Sequence, residues 1–182
     1  MGKITTQNRI KAASVGMPIV AEGTGVTVST DFTGIYRSEF TIPSTVFAVA
    51  AASLGFGLKL CTLPVGNIIV HHGSVRLTYV SSVANTVQAV IGVGTVIASG
   101  PVADLNGTGT FEDCIDGFTA TAFNGTTPVT YTSAKAGEVD QKDGTSTAKS
   151  LYLNIAGGFG AITGNLTYSG KVTVYWSVAH AS

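Results

Sequence analysis

Apolar and polar positions alternate with a period of two in several short segments of the chain. The clearest segment spans residues 35–42. Its two sets of alternating positions are Tyr36, Ser38, Phe40 and Ile42 on one side and Ile35, Arg37, Glu39 and Thr41 on the other. This period places charge on one face of a strand and aromatic and aliphatic groups on the other, so the pattern predicts a half-buried strand that ends at Pro43. Similar alternation predicts further strands within residues 54–62, 67–80, 151–155 and 165–178.

Two apolar segments have less regular patterns. Residues 46–53 are rich in Ala and fit either a short helix or a buried strand, because periodicity does not separate the two in so short a segment. Residues 86–98 are rich in Val, Ile and Gly, which predicts a strand that is buried on both faces. Within that strand, Gly92 and Gly94 are expected at bulges or at close approaches of another segment.

Glycine and aspartate also mark close packing and loops. Gly55 and Gly57 alternate with large apolar side chains and leave one face of their predicted strand almost bare. A bare face of this kind predicts that another backbone or side chain packs closely against it. Residues 99–117 concentrate Gly, Asp and Asn and are predicted to form the longest loop.

Together these segments predict an all-β fold. Several short strands separated by Gly and Asp turns, with no long amphipathic helix, favour a β-sandwich or a barrel. The first residues are polar and weakly patterned, so we expect an extended N-terminal arm over residues 1–24 and a single β-sandwich domain over residues 25–182. A chain of 182 residues is long enough to fold without disulfides or metals.

Composition argues against catalysis and against nucleic acid as a partner. Charged residues make up 11% of the chain, there are three histidines, and the formal net charge is zero. An enzyme needs acids, bases, nucleophiles or metal ligands that converge, and here the candidates are scattered along the sequence. We therefore predict that the protein is not an enzyme. A neutral chain also has no basic field that would attract phosphate groups.

The hydrophobic content is high, at 45% of residues. The apolar stretches are nevertheless far shorter than the roughly 18 to 20 residues that a membrane span requires, so no membrane partner is expected. We expect instead that the excess apolar surface lies between the subunits of a homo-oligomer. The first residues lack the pattern of a secretory signal, which predicts synthesis and assembly in a cytoplasm.

One segment of the longest predicted loop partly matches a calcium-binding pattern. The matching residues are Asp104, Asn106, Thr108, Gly109 and Glu112. The last position of the pattern, which a bidentate carboxylate should fill, is Ile115, and no helices are predicted on either side. We therefore interpret the segment as a solvated loop, and we expect no metal and no other cofactor.

The remaining candidate ligands and nucleophiles fit structural roles. His71 and His72 are adjacent, so on a regular strand they should face opposite ways, and His180 is far away in the sequence. This arrangement argues against a shared metal site. Cys61 and Cys114 are expected to be buried thiols that pack as small apolar side chains.

Taken in order, residues 35–180 resemble the small virion proteins that tailed bacteriophages encode near the major capsid protein. The resemblance is carried by an opening strand GIYRSEFTI, a turn segment LPVGNIIVHHGSVRLTYV, a Gly/Thr-rich middle, the segment DGTSTAKSLYLNIA and the closing TGNLTYSGKVTVYWSV. It implies a capsid decoration or cement protein with a jelly-roll-like β-sandwich fold, usually a homotrimer. It implies no catalytic residues.

On this basis we expect a structural virion protein that binds and stabilises the outer surface of a bacteriophage head. Its partners would be further copies of itself and the major capsid protein, and it would be assembled in the host cytoplasm and reside at the capsid surface. Another phage structural subunit, a head fibre or a tail component, is the alternative. A carbohydrate-binding β-sandwich is a rival from another class, but it should present several exposed aromatic rings, and the one Trp, Trp176, lies in a pattern typical of a core.

The arm carries the candidate partner-binding residues. Lys3, Arg9 and Lys11 precede the first strongly alternating strand, and no apolar pattern in this segment predicts packing into the sandwich. We expect these cations to contact acidic groups on an adjacent subunit or on the capsid shell. Composition fits a tail without a partner equally well.

Overall fold

The computed structural model describes residues 19–50, 53–83, 87–105, 110–119, 129–135, 140–157, 159 and 164–179. Within these residues ten strands form two antiparallel sheets, and there is no α-helix. The strands are β1 (Thr27–Phe32), β2 (Tyr36–Val49), β3 (Gly55–Thr62), β4 (Gly66–Ser81), β5 (Val90–Gly94), β6 (Ile115–Thr119), β7 (Val129–Lys135), β8 (Asp140–Gly144), β9 (Ser150–Ala156) and β10 (Gly164–Ala179). The predicted all-β sandwich is confirmed.

The chain passes back and forth between the two sheets. The larger sheet has the order β1-β2-β10-β4, and β4 pairs on its other side with β7 along one half and with β8 along the other. The smaller sheet has the order β3-β9-β5-β6. Each connection from β2 to β5 crosses between the sheets, and the late strands β9 and β10 insert beside early ones. Pairing between distant parts of the chain therefore holds both sheets together.

The space between the sheets contains the main core. In β2, Ser38, Phe40 and Ile42 are buried, which confirms the inward face that the alternation predicted. Trp176 of β10 is fully buried, as predicted, and Ile115 of β6 lies in the same apolar cluster. Side chains from both sheets thus form one continuous core.

The predicted end of the second strand at Pro43 is wrong, because β2 continues to Val49. Its register with β10 shifts between Ile42 and Thr45. Pro43 lies in this irregular stretch, where a residue without a backbone N–H is tolerated within a sheet. The open prediction for residues 46–53 is resolved in favour of a strand as far as Val49.

A third layer covers the outer face of the smaller sheet. Residues 95–105 and 110–113, called the strap here, belong to the connection between β5 and β6. Two side chains of the strap and two of the sheet form a second buried apolar cluster, made of Ala98, Leu105, Val90 and Ala156. The described residues of the predicted longest loop thus form no regular element, as expected, but Leu105 and its neighbours pack on the sheet.

Glycines in the smaller sheet let the strap lie directly on it. A Cβ atom on Gly57 would lie 2.5 Å from both Asn154 Oδ1 and Ile97 Cγ1, and one on Gly94 would collide with the backbone of Phe111. These approaches confirm the close packing that was predicted for the bare face of β3. They also explain why larger residues are not accommodated at either position.

Strand β5 is buried on both faces along its whole length, as the apolar pattern predicted. Its register with β6 shifts between Ile91 and Val93. Gly92 thus lies at a bulge and Gly94 at a close approach, and both were among the expected uses of these glycines. The strand itself is shorter than the apolar segment 86–98 that contains it.

The described part of the N-terminal arm packs on the sandwich. Ile19 lies in the main core, and Ala21 forms an antiparallel bridge with Cys61 of β3. Glu22 donates its backbone N–H to the Leu60 carbonyl at 3.0 Å. The chain therefore enters the domain along the edge of the smaller sheet, and residues 1–18 lie outside the described residues.

Candidate functional site

The part of the chain that the structure describes holds no group of three or more His, Cys, Asp or Glu side chains that could bind a metal ion. Cys61 and Cys114 form no disulfide and are buried, as predicted, and burial raises the pKa of the Cys61 thiol to about 12. A thiol with so high a pKa stays protonated at neutral pH and is a poor nucleophile. His180 lies outside the described residues.

The calcium-like segment falls in and beside the strap. Asp104 and Glu112 are described, whereas residues 106–109, with Asn106, Thr108 and Gly109, are not. Ile115, at the position where the pattern requires a carboxylate, begins β6 and is buried in the main core. A core side chain therefore occupies the place of the most specific ligand.

A buried amide holds the strap against the smaller sheet. Asn154 of β9 accepts a hydrogen bond from the Ala98 N–H at 2.9 Å. Its side-chain nitrogen donates to the carbonyls of Val96 and Phe111, at 2.8 and 2.7 Å. One side chain is thus hydrogen-bonded to both described parts of the strap, residues 95–105 and residues 110–113. Asn154 is a structural residue that sequence reasoning missed, because a single Asn in an apolar strand carries no signal of its distant partners.

A buried ion pair ties the strap to the larger sheet. Lys142 of β8 lies 2.9 Å from Asp113 of the strap, and their side chains are 9% and 13% exposed. The Asp113 carboxylate also accepts hydrogen bonds from the backbone N–H and the hydroxyl of Thr95, at 2.7 and 2.8 Å. Burying a charge is costly unless it is paired and hydrogen-bonded, and Asp113 meets both conditions. The ion pair therefore joins the larger sheet to the strap, which lies on the smaller one.

The prediction that His71 and His72 face opposite ways is wrong. The register between β4 and β10 shifts between Tyr175 and Trp176, so that β4 contains one extra residue at this point. The His71 Nε2 atom lies 2.8 Å from Ser177 Oγ, and His72 stacks on Tyr175 with the ring centroids 4.0 Å apart. Both imidazoles thus lie on the outer face of the larger sheet, since a bulge cancels the alternation of side chains.

This outer face carries a network of charged side chains. Asp31, Arg37, Tyr175 and His72 form one row across four strands. Arg37 lies 3.4 Å from Asp31 and 2.6 Å from Glu39. Hydrogen bonding with the Tyr175 side chain raises the pKa of the Arg37 guanidinium, so this group is a fixed positive charge. The two charged residues of β2 in this network, Arg37 and Glu39, lie on the face where the alternation predicted charge.

A pair of cations stands in the middle of the same face. Lys171 of β10 bonds Glu39 at 2.6 Å and lies directly opposite Arg76 of β4. Arg76 is exposed, and no ion pair joins it to another residue that the structure describes. Like charges directly opposite each other destabilise a sheet. The Arg76 and Lys171 pair is therefore a surface feature that the stability of the fold does not explain.

The predicted partner-binding residues Lys3, Arg9 and Lys11 all lie outside the described residues, so the structure does not place them relative to this face. Exposed large apolar side chains occur on several different elements, the most exposed being Val20, Val65 and Val46. Isolated apolar side chains are ordinary on a protein surface. The charged outer face of the larger sheet is thus the more specific candidate for an interaction surface.

Among the described residues there is no helix with the length and apolar character that crossing a membrane requires. No protein-family model matches the chain, and no curated protein or solved structure matches it. Function is therefore inferred from the fold, the outer faces and the sequence.

Proposed function

We propose that this protein is a non-enzymatic structural component of a bacteriophage virion that binds the outer surface of the head and stabilises it. The order β2-β10-β4-β7 in one sheet and β3-β9-β5-β6 in the other supports a jelly-roll arrangement. Double-sheet jelly rolls occur in viral capsid proteins and in lectins, and fold alone does not separate these functions. The resemblance of residues 35–180 to phage virion proteins favours the capsid.

The proposal is carried by the positions of the described polar side chains, which either make contacts inside the fold or form a charged network on its outer face. Three side chains in or near the interior, those of Asp113, Lys142 and Asn154, hold the strap against the two sheets. The outer ones form a flat network centred on Arg37. A sandwich whose interior polar groups serve internal contacts and whose outer face carries a charged network fits a protein that braces neighbouring shell subunits.

The N-terminal arm supports attachment to a neighbour. It joins the domain at the edge of β3, where Ala21 bridges to Cys61. Eighteen residues span at most roughly 60 Å when fully extended, which exceeds the width of a small domain. In the proposed assembly, Lys3, Arg9 and Lys11 contact acidic groups on the shell or on an adjacent copy.

Binding to heads tests this function. Phage heads that lack the protein are incubated with the purified full-length chain and pelleted, and the temperature at which they release DNA is measured with and without it. We expect saturable binding and a higher release temperature. Failure to bind, or binding that leaves the release temperature unchanged, would contradict a stabilising role.

Two variants show what the arm does in that experiment. Removing residues 1–18 keeps the buried Ile19, so the sandwich should retain its melting temperature while its affinity for heads falls. Replacing Lys3, Arg9 and Lys11 by Gln should weaken binding in the same direction and keep the length of the arm. If both variants bind heads as tightly as the full chain, the arm has no docking role.

The same binding experiment separates the alternatives. A head fibre or a tail component would bind at only a few places on each particle. A carbohydrate-binding sandwich would bind glycans instead of heads, and the outer face gives it little support: Tyr175 stacks on His72, and Trp176 is buried. Protein stoichiometry on the particle therefore distinguishes decoration from the other structural functions.

A further inference from the structure

Strand β1 forms one edge of the larger sheet. Within the described residues it pairs only with β2, and the register runs from Thr27 to Phe32 without a shift. An edge strand presents backbone N–H and C=O groups with which another strand can pair, and proteins often protect such edges with Lys, Pro or a bulge. The sequence of β1, TVSTDF, contains no Lys and no Pro. Its one charged residue, Asp31, lies 3.4 Å from Arg37 of the same chain.

The neighbouring edge of the smaller sheet is covered by the chain itself. Ala21 bridges to Cys61 of β3, and the Glu22 N–H donates to the Leu60 carbonyl at 3.0 Å. The same segment then enters β1 at Thr27, and no described residue pairs with the free edge of that strand. The fold thus protects the edge at β3 and leaves the edge at β1 open over the described part of the chain.

The inner face of β1 carries apolar side chains that this edge leaves partly uncovered. Val28 packs against the main core but is only half-buried, and Phe32 is 37% exposed. Phe32 contacts Tyr36 with the ring centroids 4.8 Å apart, and Tyr36 stacks on the buried Trp176. A further strand beside β1 would therefore cover Val28 and Phe32 and extend an apolar row of the core.

The sequence of β1 is complementary to itself in one antiparallel register. With Thr30 opposite Thr30 of a second copy, Val28 lies opposite Phe32 and Ser29 lies opposite Asp31. Aromatic rings opposite β-branched side chains, and Thr opposite Thr, are favourable cross-strand pairs. A register centred on Asp31 would set two carboxylates against each other, and one centred on Ser29 would place Phe32 opposite a residue outside β1.

We propose that β1 pairs with β1 of a second copy of this chain, antiparallel and with Thr30 on the two-fold axis. The two larger sheets then form one continuous sheet, and the contact is the same surface on both copies. It does not depend on attachment to phage heads, and it forms a dimer or joins two larger oligomers. A contact of one strand from each copy is small, so association should depend on protein concentration.

Disulfide trapping tests the pairing. Residues directly opposite in an antiparallel pair have Cα atoms roughly 4.5 to 5.5 Å apart, which is within the range that a disulfide bridges. Thr30→Cys in the full chain should therefore form a covalent dimer on mild oxidation. Ser146→Cys is the matched control, because Ser146 is more exposed than Thr30 and lies far from β1 in the sequence, so that it reports random collisions. We expect Thr30→Cys to cross-link about tenfold faster or more, and the native chain, whose cysteines are buried, to cross-link least.

A mixture of two variants tests the register. Ser29→Cys and Asp31→Cys should each cross-link slowly alone, because diagonal positions lie roughly 7 to 8 Å apart, too far for a disulfide. Mixed together, they should form the covalent heterodimer quickly, since position 29 of one copy faces position 31 of the other. Melting temperatures of the reduced variants show whether each is folded.

A charge substitution tests the same contact without a covalent bond. Ser29→Lys sets an ammonium opposite Asp31 of the second copy, at two symmetric places, and opposite Glu39 within its own chain, so that folding is not opposed. Sedimentation should show association about threefold tighter or more than that of the native chain. Ser146→Lys makes the same change in charge away from β1 and should leave association unchanged.

Each outcome decides the proposal. A native chain that stays monomeric at all concentrations, or a folded Thr30→Cys that cross-links no faster than Ser146→Cys, overturns the pairing of β1 with itself. Fast cross-linking of Ser29→Cys alone, together with weaker association of Ser29→Lys, overturns the register. None of these results bears on whether the protein binds heads, so the proposed function stands or falls separately.

Discussion

Trp176 donates its indole N–H to the hydroxyl oxygen of Ser38 at 3.0 Å inside the core. The hydroxyl of Thr30 lies 3.0 Å from the same oxygen, so the Ser38 hydroxyl links β10, β2 and β1. Tyr36 stacks on the Trp176 ring with the centroids 4.4 Å apart. The last strand of the chain is thereby fixed beside two of the first, at a point where both packing and hydrogen bonding specify the pairing.

Ser38→Ala should destabilise the protein. The variant removes the acceptor of a buried indole N–H, and an unsatisfied buried donor costs about 1 to 3 kcal/mol. Urea unfolding followed by fluorescence measures this directly, because Trp176 is the single Trp of the chain. Ser29→Ala, at an exposed position of β1, is the control and should change stability little. Equal effects of the two substitutions would show that the hydrogen bond contributes nothing.

Asp113→Ala should cost much more than the loss of a surface ion pair. It removes the carboxylate that pairs with the buried Lys142 ammonium, and breaking a buried ion pair by removing one partner is destabilising by about 3 to 5 kcal/mol. Glu22→Ala breaks the exposed pair between Glu22 and Lys59 and should cost at most about 1 kcal/mol. Chemical denaturation of both variants measures the difference. Combining Asp113→Ala with Lys142→Met should recover part of the loss, and a double variant that is less stable than Asp113→Ala would contradict the buried charge as the cause.

Glu39→Gln should have an effect that depends on pH. The hydrogen bond from Lys171 is the main cause that holds the pKa of Glu39 below its ordinary value of 4.5. A carboxyl whose pKa is lowered by folding stabilises the protein above its unfolded pKa, and that stabilisation is lost as pH falls through the folded pKa. The native chain should therefore be more stable than Glu39→Gln at neutral pH, and the difference should shrink as the pH falls below 4.5. A difference that stays constant or grows on acidification would contradict the ion pair as its source.

Asn154→Ala should loosen the strap more than the core. The substitution removes three hydrogen bonds, those to Ala98, Val96 and Phe111. Amide hydrogen exchange should speed up in the strap, because segments held by few contacts open locally before the whole protein unfolds. Asn165→Ala, on the exposed outer face of β10, is the control. Uniform acceleration over both sheets would mean that the strap and the sandwich open as one unit.

Patterns within single segments predicted much of this fold. The alternation around Phe40 identified the inward and outward faces of β2, and the small residues Gly57 and Gly94 predicted the close approach of another segment. Both signals are local, because side-chain period and the absence of a Cβ are properties of a few consecutive residues. The burial of Trp176 followed from the same alternation.

The features that were missed depend on partners far away in the sequence. A register shift between β2 and β10 accommodates Pro43 within β2. A second register shift, between β4 and β10, places His71 and His72 on one face of the sheet. Pro43 and Gly170, which lie at the first irregularity, are typical of irregular strand positions, but the sequence does not say which strands pair there. The contact between Asp113 and Lys142 and the position of Lys171 opposite Arg76 likewise depend on which strands pair. The chain positions of Lys142 and Lys171 do not reveal that pairing.

The number of copies of this chain in purified phage particles tests the central claim most directly. Quantitative mass spectrometry gives this number relative to the major capsid protein, and removal by a protease added to intact particles shows whether the chain lies on the outside. The proposed decoration function predicts a copy number of the same order as that of the major capsid protein, on an accessible surface. Absence from the particles, or only a few copies on each, would contradict it.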